Sequence, residues 1–132
     1  MRFHTRKWVK PEDLNPNQTL FGGRLLQWID EEAALYAIAQ FENKKIVTKY
    51  ISDINFQDKA VQGDIIEIGM EAVKFGNSSL TLRCEARNMM TRKTIITIDS
   101  IIMVNLGPDG KPAPHHKTEI EFVKDRLKGK ED

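Results

Sequence analysis

Apolar residues follow a helical period in the first third of the chain and a strand period afterwards. Between positions 23 and 41 they fall on one broad arc of a helix, and they spread to nearly all sides in its second half. A helix with this pattern is predicted to be buried on most sides rather than to lie on a surface. The arc consists of Leu25, Leu26, Ile29, Ala33, Tyr36 and Ala37.

After this helix the pattern changes to the alternation that is typical of β-strands. Four strands separated by short turns are predicted there, and a short strand is predicted before the helix. Short links favour antiparallel pairing, and one apolar helix and one antiparallel sheet bury each other best when the sheet wraps around the helix. The predicted fold class is therefore α+β. The strands cover residues 3–9, 46–56, 65–75, 80–90 and 95–106.

The last predicted strand is apolar on both of its faces. Such a strand favours a second covering surface, for example another subunit. Its apolar residues are Ile95, Ile96, Ile98, Ile101, Ile102, Met103 and Val104.

A segment rich in glycine and proline, residues 107–114, ends this strand. We expect one domain over residues 1–114 and a charged C-terminal tail over residues 115–132. In the tail, residues 118–121 have the form of a capping box, and Ile120, Val123 and Leu127 recur at helical spacing. A short terminal helix and a frayed end are both compatible with this pattern.

Composition and charge exclude several classes of protein. A chain of 132 residues buries a real core without disulfides, and the single Cys84 excludes an internal disulfide and a cysteine-based zinc site. The sequence has no apolar window long enough for a transmembrane helix and no signal peptide, so we expect a cytoplasmic protein. With 20 basic and 19 acidic residues, the net charge of +1 gives no reason to expect a nucleic-acid partner.

Asp30 is the one carboxylate on the small, apolar face of the predicted helix. At about 100° per residue, Gly23, Ala34 and Ala37 all lie within about 60° of it. A buried carboxylate is costly unless it is paired or used in chemistry. Two interpretations are open: a catalytic group, or a structural one that lies at the edge of the stripe or pairs with a lysine or arginine.

Gly22 and Gly23 stand at the predicted start of the helix. Free N–H groups at a helix start are donors in a positive field, and they can hold a developing oxyanion. Gly23 and Asp30 share a helix face and lie about 10 Å apart along the axis. A carbonyl held at the helix start can then be approached by a nucleophile that Asp30 activates. The alternative is a flexible entry turn.

Two polar turns complete the candidate groups. Asn15, ahead of the helix, can orient a water or a carbonyl, and the small polar residues at 76–79 can bind phosphate or an extended amide chain. Both segments also have the composition of ordinary turns. The adjacent His115 and His116 have no other ligand spaced near them, so no metal site is predicted.

Residues 15–31 resemble the acyl-CoA thioesterases of the hot-dog fold. The shared pattern is an Asn seven residues before a Gly-Gly pair, a large apolar residue just before the pair, and an Asp seven residues after it. Weaker similarity extends the resemblance over about residues 5 to 112, with one departure at Lys59, where the family usually has proline. The supporting pieces are Val47-Thr48, Asn55-Phe56, Gly63-Asp64, Gly76-x-Ser78-Ser79 and Asn105-Leu106-Gly107.

The resemblance implies a sheet wrapped around a central helix, paired into a double hot-dog dimer and often assembled into hexamers. It implies active sites at the dimer interface, where Asn15 of one protomer faces Asp30 of the other. The backbone of Gly22 or Gly23 would bind the oxyanion. The loop implied to contact coenzyme A consists of Gly76, Asn77, Ser78 and Ser79.

The implied reaction is hydrolysis of an acyl-CoA to a free acid and coenzyme A. Asp30 would act as general base or as nucleophile, and no metal or other cofactor is needed. A hot-dog dehydratase is disfavoured because no histidine lies between Thr5 and Pro114. The alternative is a non-catalytic hot-dog module that binds acyl-CoA or senses a ligand. The eight residues before Val9 leave no room for a DNA-binding extension on such a sensor.

Overall fold

Six antiparallel strands form one sheet, and one 20-residue helix packs against it in the computed structural model, which describes residues 1–121. This is the predicted α+β arrangement. The elements are β1 (Arg2–Trp8), α1 (Gly22–Phe41), β2 (Ile46–Ile51), β3 (Ile54–Phe56), β4 (Ile65–Phe75), β5 (Ser79–Asn88) and β6 (Thr94–Asn105), with a 3₁₀ turn at Pro11–Asp13.

The sheet has the strand order β1-β4-β5-β6-β2, and β3 pairs with β6 next to β2. Strands β4, β5 and β6 are joined by short turns and pair in sequence, as their short links predicted. Strands β1 and β2 lie at opposite edges of the sheet but are separated in sequence mainly by α1. The helix therefore carries the chain from one edge of the sheet to the other.

One stripe of α1 is buried against the sheet. Leu25, Ile29, Ala33 and Ala37 recur every four residues and are each at most 1% exposed. The two alanines let the helix axis approach the sheet closely. Among residues 33–41 only Leu35 is exposed, at 59%, so the second half of the helix is buried or half-buried on most sides, as predicted. The exposed positions Gln27, Glu31 and Leu35 recur every four residues and form one stripe.

The predicted strand over residues 46–56 forms two strands. The break falls at Ser52 and Asp53, where Ser52 Oγ accepts the N–H of Ser100 at 3.0 Å. A side-chain oxygen there replaces a main-chain acceptor and interrupts the regular ladder. Five strands therefore follow the helix rather than four.

The last strand, β6, is buried on both faces, as its composition predicted. Ile95 and Ile96 are adjacent, so they point to opposite faces, and they are 2% and 0% exposed. Cys84, on the neighbouring β5, is 1% exposed, and burial raises the pKa of its thiol to about 12. It is the core residue that the alternating pattern indicated.

The residues after β6 run in coil as far as residue 121. Residues 118–121, at which the predicted tail helix begins, are not helical, and its later residues Val123 and Leu127 lie outside the described residues. The domain boundary at residue 114 stays a prediction. Within residues 1–121, no helix meets the length and hydropathy that spanning a membrane requires.

Candidate active site

Asp30 is exposed in the single chain, and its carboxylate has one specific partner. The hydroxyl of Thr48, on β2, donates a hydrogen bond of 2.7 Å to Asp30 Oδ1. The expectation of a buried carboxylate is wrong for the single chain, because Asp30 meets the sheet at its edge strand. Within residues 1–121 no lysine or arginine pairs with Asp30, so nothing there supports the structural ion pair. The other structural interpretation, a carboxylate at the edge of the apolar stripe, agrees with the exposure of Asp30.

Two other carboxylates show what structural use looks like in this fold. Asp13 and Glu67 are each 3% exposed, and each pairs with arginine. Asp13 Oδ1 lies 3.3 Å from Arg24 Nε, and Glu67 Oε1 lies 3.0 Å from Arg87 Nε. Burial works to raise the pKa of Glu67, but the hydrogen bond from Arg87 and the positive charges around it hold that pKa below its ordinary value. Asp30 has neither the burial nor the arginine.

The start of α1 leaves two main-chain donors unpaired. Phe21 is the N-cap residue and gives no side-chain cap, while its carbonyl accepts the N–H groups of Arg24 and Leu25 at 3.0 and 3.1 Å. The N–H groups of Gly22 and Gly23 donate to no acceptor within residues 1–121. Both donors lie at the positive end of the helix dipole, where an anion or oxyanion is favoured.

Two phenylalanine rings flank these glycines. A Cβ atom placed on Gly22 would lie 3.2 Å from Cζ of Phe56, and one placed on Gly23 would lie 2.8 Å from Cε2 of Phe21. The two rings are each more than half exposed. Any larger residue at these positions would push a ring aside, so the glycines keep the helix start open. The sequence singled out Phe56 only as part of the resemblance.

Asn15 holds its own turn together. Its Oδ1 accepts the N–H groups of Asn17 and Thr19 at 2.9 and 3.2 Å, and its Nδ2 donates to the Thr19 hydroxyl at 2.9 Å. The turn interpretation is therefore confirmed for the single chain. Within the described residues Asn15 makes no hydrogen bond to Asp30, and their meeting across an interface stays a prediction.

Asp13 anchors this turn region to the helix, and the sequence analysis missed it. Its carbonyl accepts the N–H of Phe21 at 2.8 Å, its Oδ2 accepts the N–H of Lys10 at 2.9 Å, and its Oδ1 pairs with Arg24. Lysine at position 10 is not a capping residue, so the Lys10–Asp13 pair has no capping-box signature in the sequence. The clamp fixes how the chain enters α1.

The loop at residues 76–79 borders a groove of about 640 Å³. This volume lies in the range of small-molecule sites. Ser78 and Ser79 line the groove together with Thr48, the residue that holds Asp30. A Cβ atom on Gly76 would collide with Ser79 Oγ, so a larger residue at position 76 would turn the Ser79 hydroxyl away from its present position. The remaining lining residues are Val47, Lys49, Ile102, Val104, Leu106, Gly110 and Pro112.

The predicted site residues thus form two groups in the single chain. Gly22 and Gly23 lie at the helix start, close to the turn of Asn15. Asp30 is linked through Thr48 to the groove of Ser78 and Ser79. His115, which the sequence placed in the tail, contacts the same loop through Ser79.

Comparison with known proteins agrees with this fold. The family model of the thioesterase superfamily matches residues 17–94. The acyl-CoA thioester hydrolase YciA of Salmonella typhimurium is 28% identical over 115 residues, which cover 83% of this chain and 86% of that protein.

Solved structures give the same picture. The hexameric thioesterase y2039 of Yersinia pestis superposes with a TM-score of 0.79 at 25% identity, covering 86% of this chain and 93% of the other. An acyl-CoA hydrolase of Staphylococcus aureus, solved with butyryl coenzyme A and coenzyme A, superposes with a TM-score of 0.75 at 26% identity. That match covers 95% of this chain and 76% of the other.

Proposed function

Since the chain belongs to the thioesterase superfamily and is a thioester hydrolase, we propose that it hydrolyses acyl-CoA thioesters to a free acid and coenzyme A. One observation carries the proposal. Asp30 is a carboxylate without an ion pair within residues 1–121, and the hydroxyl that holds it belongs to a residue of the groove beside Ser78 and Ser79. A reactive carboxylate and a ligand groove therefore share Thr48.

The helix start supplies the electrostatic part of the reaction. When a thioester carbonyl is attacked, negative charge develops on its oxygen, and donors that already point at that oxygen lower the barrier. The unpaired N–H groups of Gly22 and Gly23 are such donors. Removing one oxyanion donor costs about 10²- to 10³-fold in rate in well-studied hydrolases.

Asp30 supplies the nucleophile in one of two ways. As a general base it takes a proton from water, whose oxygen attacks the carbonyl carbon, and the thiolate of coenzyme A leaves and is protonated. As a nucleophile it attacks directly, coenzyme A leaves as thiolate, and water hydrolyses the resulting anhydride. In both routes the Thr48 hydroxyl occupies Oδ1 and leaves Oδ2 free to react.

The groove is proposed to take the coenzyme A portion of the substrate. Gly76, Asn77, Ser78 and Ser79 form the loop that borders it, and serine hydroxyls donate to phosphate and amide oxygens. Lys49 also lines the groove, exposed, and brings a cation for a phosphate.

We further propose a homo-oligomer, with a dimer at minimum and a trimer of dimers as the full assembly. Strand β2 lies at the edge of the sheet and exposes Val47, Tyr50 and Ile51. An exposed apolar edge strand is a template for pairing with another chain. In the dimer, Asn15 of one protomer would reach Asp30 of the other and orient the water or the carbonyl. We place the reaction in the cytoplasm, since Cys84 is a free thiol.

The test is a hydrolysis assay on a panel of acyl-CoAs from short to long chain, with release of the free thiol as readout. We expect turnover on part of the panel. Tight binding of acyl-CoA without release of thiol would instead identify the non-catalytic binding module. Light scattering that found a fully active monomer at micromolar concentration would reject the interface site.

A further inference from the structure

His115 is a buried histidine beyond the last strand that none of the proposed chemistry uses. It is 6% exposed, and its ring stacks on Phe41 with centroids 4.7 Å apart and planes 8° apart. The edge of the ring meets Phe75 at 6.0 Å. Its neighbour His116 is exposed. The imidazole is therefore fixed in place by aromatic packing on two sides.

The hydrogen bonds of the ring define which nitrogen carries the proton. Nδ1 accepts the N–H of Lys117 at 2.9 Å, so Nδ1 is the acceptor and Nε2 holds the hydrogen. Nε2 lies 2.8 Å from the carbonyl oxygen of Ser79 and donates to it. The main-chain N–H of His115 donates to the carbonyl of Asn77 at 3.2 Å.

Three consecutive carbonyls of the loop are held in this way, since the carbonyl of Ser78 accepts the N–H of Asn105 at 2.7 Å. Two of these bonds come from main-chain donors. The carbonyl of Ser79 also accepts the N–H of Gly76 at 2.9 Å, and its second hydrogen bond depends on the side chain of His115. Ser79 is also the residue that packs against Gly76 and lines the groove, so its orientation sets where its hydroxyl lies.

From this arrangement we infer that His115 is a positioning residue for coenzyme A: it holds the loop at residues 76–79 in the shape that binds the substrate. The inference rests on the proposed function, in which this loop contacts coenzyme A. His115 touches no group that is proposed to react. Its loss should therefore weaken binding and leave the chemical step intact.

A pair of nearly isosteric variants isolates the donor. His115→Gln keeps an N–H donor at the end of a flexible side chain, and His115→Met has the same length without a donor. We expect His115→Met to raise KM for acyl-CoA and Kd for free coenzyme A about fivefold, the effect of losing one of the two hydrogen bonds to the Ser79 carbonyl. Its kcat should stay within about twofold of wild type, and His115→Gln should recover most of the affinity.

A third variant and a stability control complete the design. His115→Phe keeps the stack on Phe41 without a donor, so it should resemble His115→Met, and it serves if His115→Met does not fold. Cys84→Ala removes a buried group of β5 outside the loop. It should lower the unfolding temperature and leave KM unchanged, which separates loss of stability from loss of positioning.

The outcomes discriminate between the two proposals. Wild type that releases no thiol and binds no free coenzyme A would overturn the proposed function and this inference with it. Wild type that is active, with an unchanged KM in both donor-free variants, would overturn this inference alone. A fall in kcat with KM constant would also reject it, because the residue would then act on the reacting groups.

Discussion

The two ends of α1 are finished in opposite ways. At the first end, Phe21 offers no side-chain cap, and the N–H groups of Gly22 and Gly23 are unpaired within residues 1–121. At the last end, Glu42 takes the left-handed conformation with φ 57°, and its N–H bonds to the carbonyl of Ile38 at 2.8 Å.

The last turn of the helix is also tied to the chain that follows β6. Gln40 is 1% exposed, and its side-chain amide bonds to both the N–H and the carbonyl of Glu121. Phe41 carries the stack with His115. This last end of α1, here called the closed end, therefore contributes stability and fixes the loop at residues 76–79. At the first end of α1, here called the open end, the N–H groups of Gly22 and Gly23 have no partner within residues 1–121 and are free to bind water or a ligand.

The largest expected effect comes from removing the carboxylate in the half of α1 near the open end. Asp30→Asn keeps the shape and the bond to Thr48 but loses the base. We expect hydrolysis to fall by at least about 10²-fold, while acyl-CoA binding is largely kept. Kinetics and equilibrium binding on the same preparation measure both quantities.

The matched control is Glu31→Gln, which removes the adjacent carboxylate of the same helix and should leave kcat within about twofold. Near wild-type turnover by a folded Asp30→Asn dimer would contradict the catalytic assignment.

The second experiment asks whether the open end is completed by a partner subunit. Asn15→Ala and Asp30→Asn protomers are each expected to be nearly inactive, and mixing them should restore activity. In a heterodimer one site receives both lesions and the other receives neither. With about half of the dimers mixed, recovery should approach about a quarter of wild-type activity. No recovery, with subunit exchange shown by mass spectrometry, would place both residues in the same chain.

A pair of mirror substitutions separates the two ends. Gly23→Ala adds a methyl group that displaces the ring of Phe21 in front of the free donors, so we expect hydrolysis to fall about tenfold while stability is unchanged or slightly raised. Ala39→Gly, near the closed end, should cost about 0.5–1 kcal/mol of stability without changing kcat. Thermal unfolding and kcat on both variants give the answer. If Gly23→Ala instead lowers stability and leaves hydrolysis unchanged, the helix start has a structural role and the proposed difference between the two ends is wrong.

The smallest expected effect lies at the closed end. Gln40→Leu removes the amide that holds Glu121 and replaces it with an apolar side chain of similar size. We expect the free energy of unfolding to drop by about 1 kcal/mol, with kcat unchanged. Chemical denaturation measures the first quantity. A large fall in kcat at unchanged stability would contradict the assignment of catalysis to the open end and of stability to the closed end.

Sequence periodicity predicted α1 to within one residue at its start, because its repeat is long and its buried positions recur every four residues. The break at Ser52 and Asp53 was missed, since a side-chain acceptor that faces Ser100 has no local signature. The predictions of β5 and of a buried Cys84 were also correct. As in α1, the apolar residues of β5 follow a regular period because one face points into the core.

The candidate site was predicted less evenly. The pattern gave the face on which Asp30 lies but not how far the sheet extends beneath it, and so it did not reveal that Asp30 is exposed in the single chain. Apart from Lys117, the contacts of the His115 ring are 36 residues or more away in sequence, at Ser79, Phe75 and Phe41. A contact of that range leaves no trace in a local pattern, so a histidine next to a charged segment was interpreted as part of a tail.

The loop at residues 76–79 is held mostly through its carbonyls, and this has a consequence for how such a protein changes over generations. Main-chain hydrogen bonds do not depend on which side chain a residue carries, and Asn77 is exposed while Ser78 faces the groove. Mutations at these two positions alter the chemistry presented to a ligand while the anchoring bonds persist. Ligand preference can therefore change over generations at these positions with little effect on the stability of the fold. A small combinatorial library at the codons of Asn77 and Ser78 would sample new specificities on an unchanged scaffold.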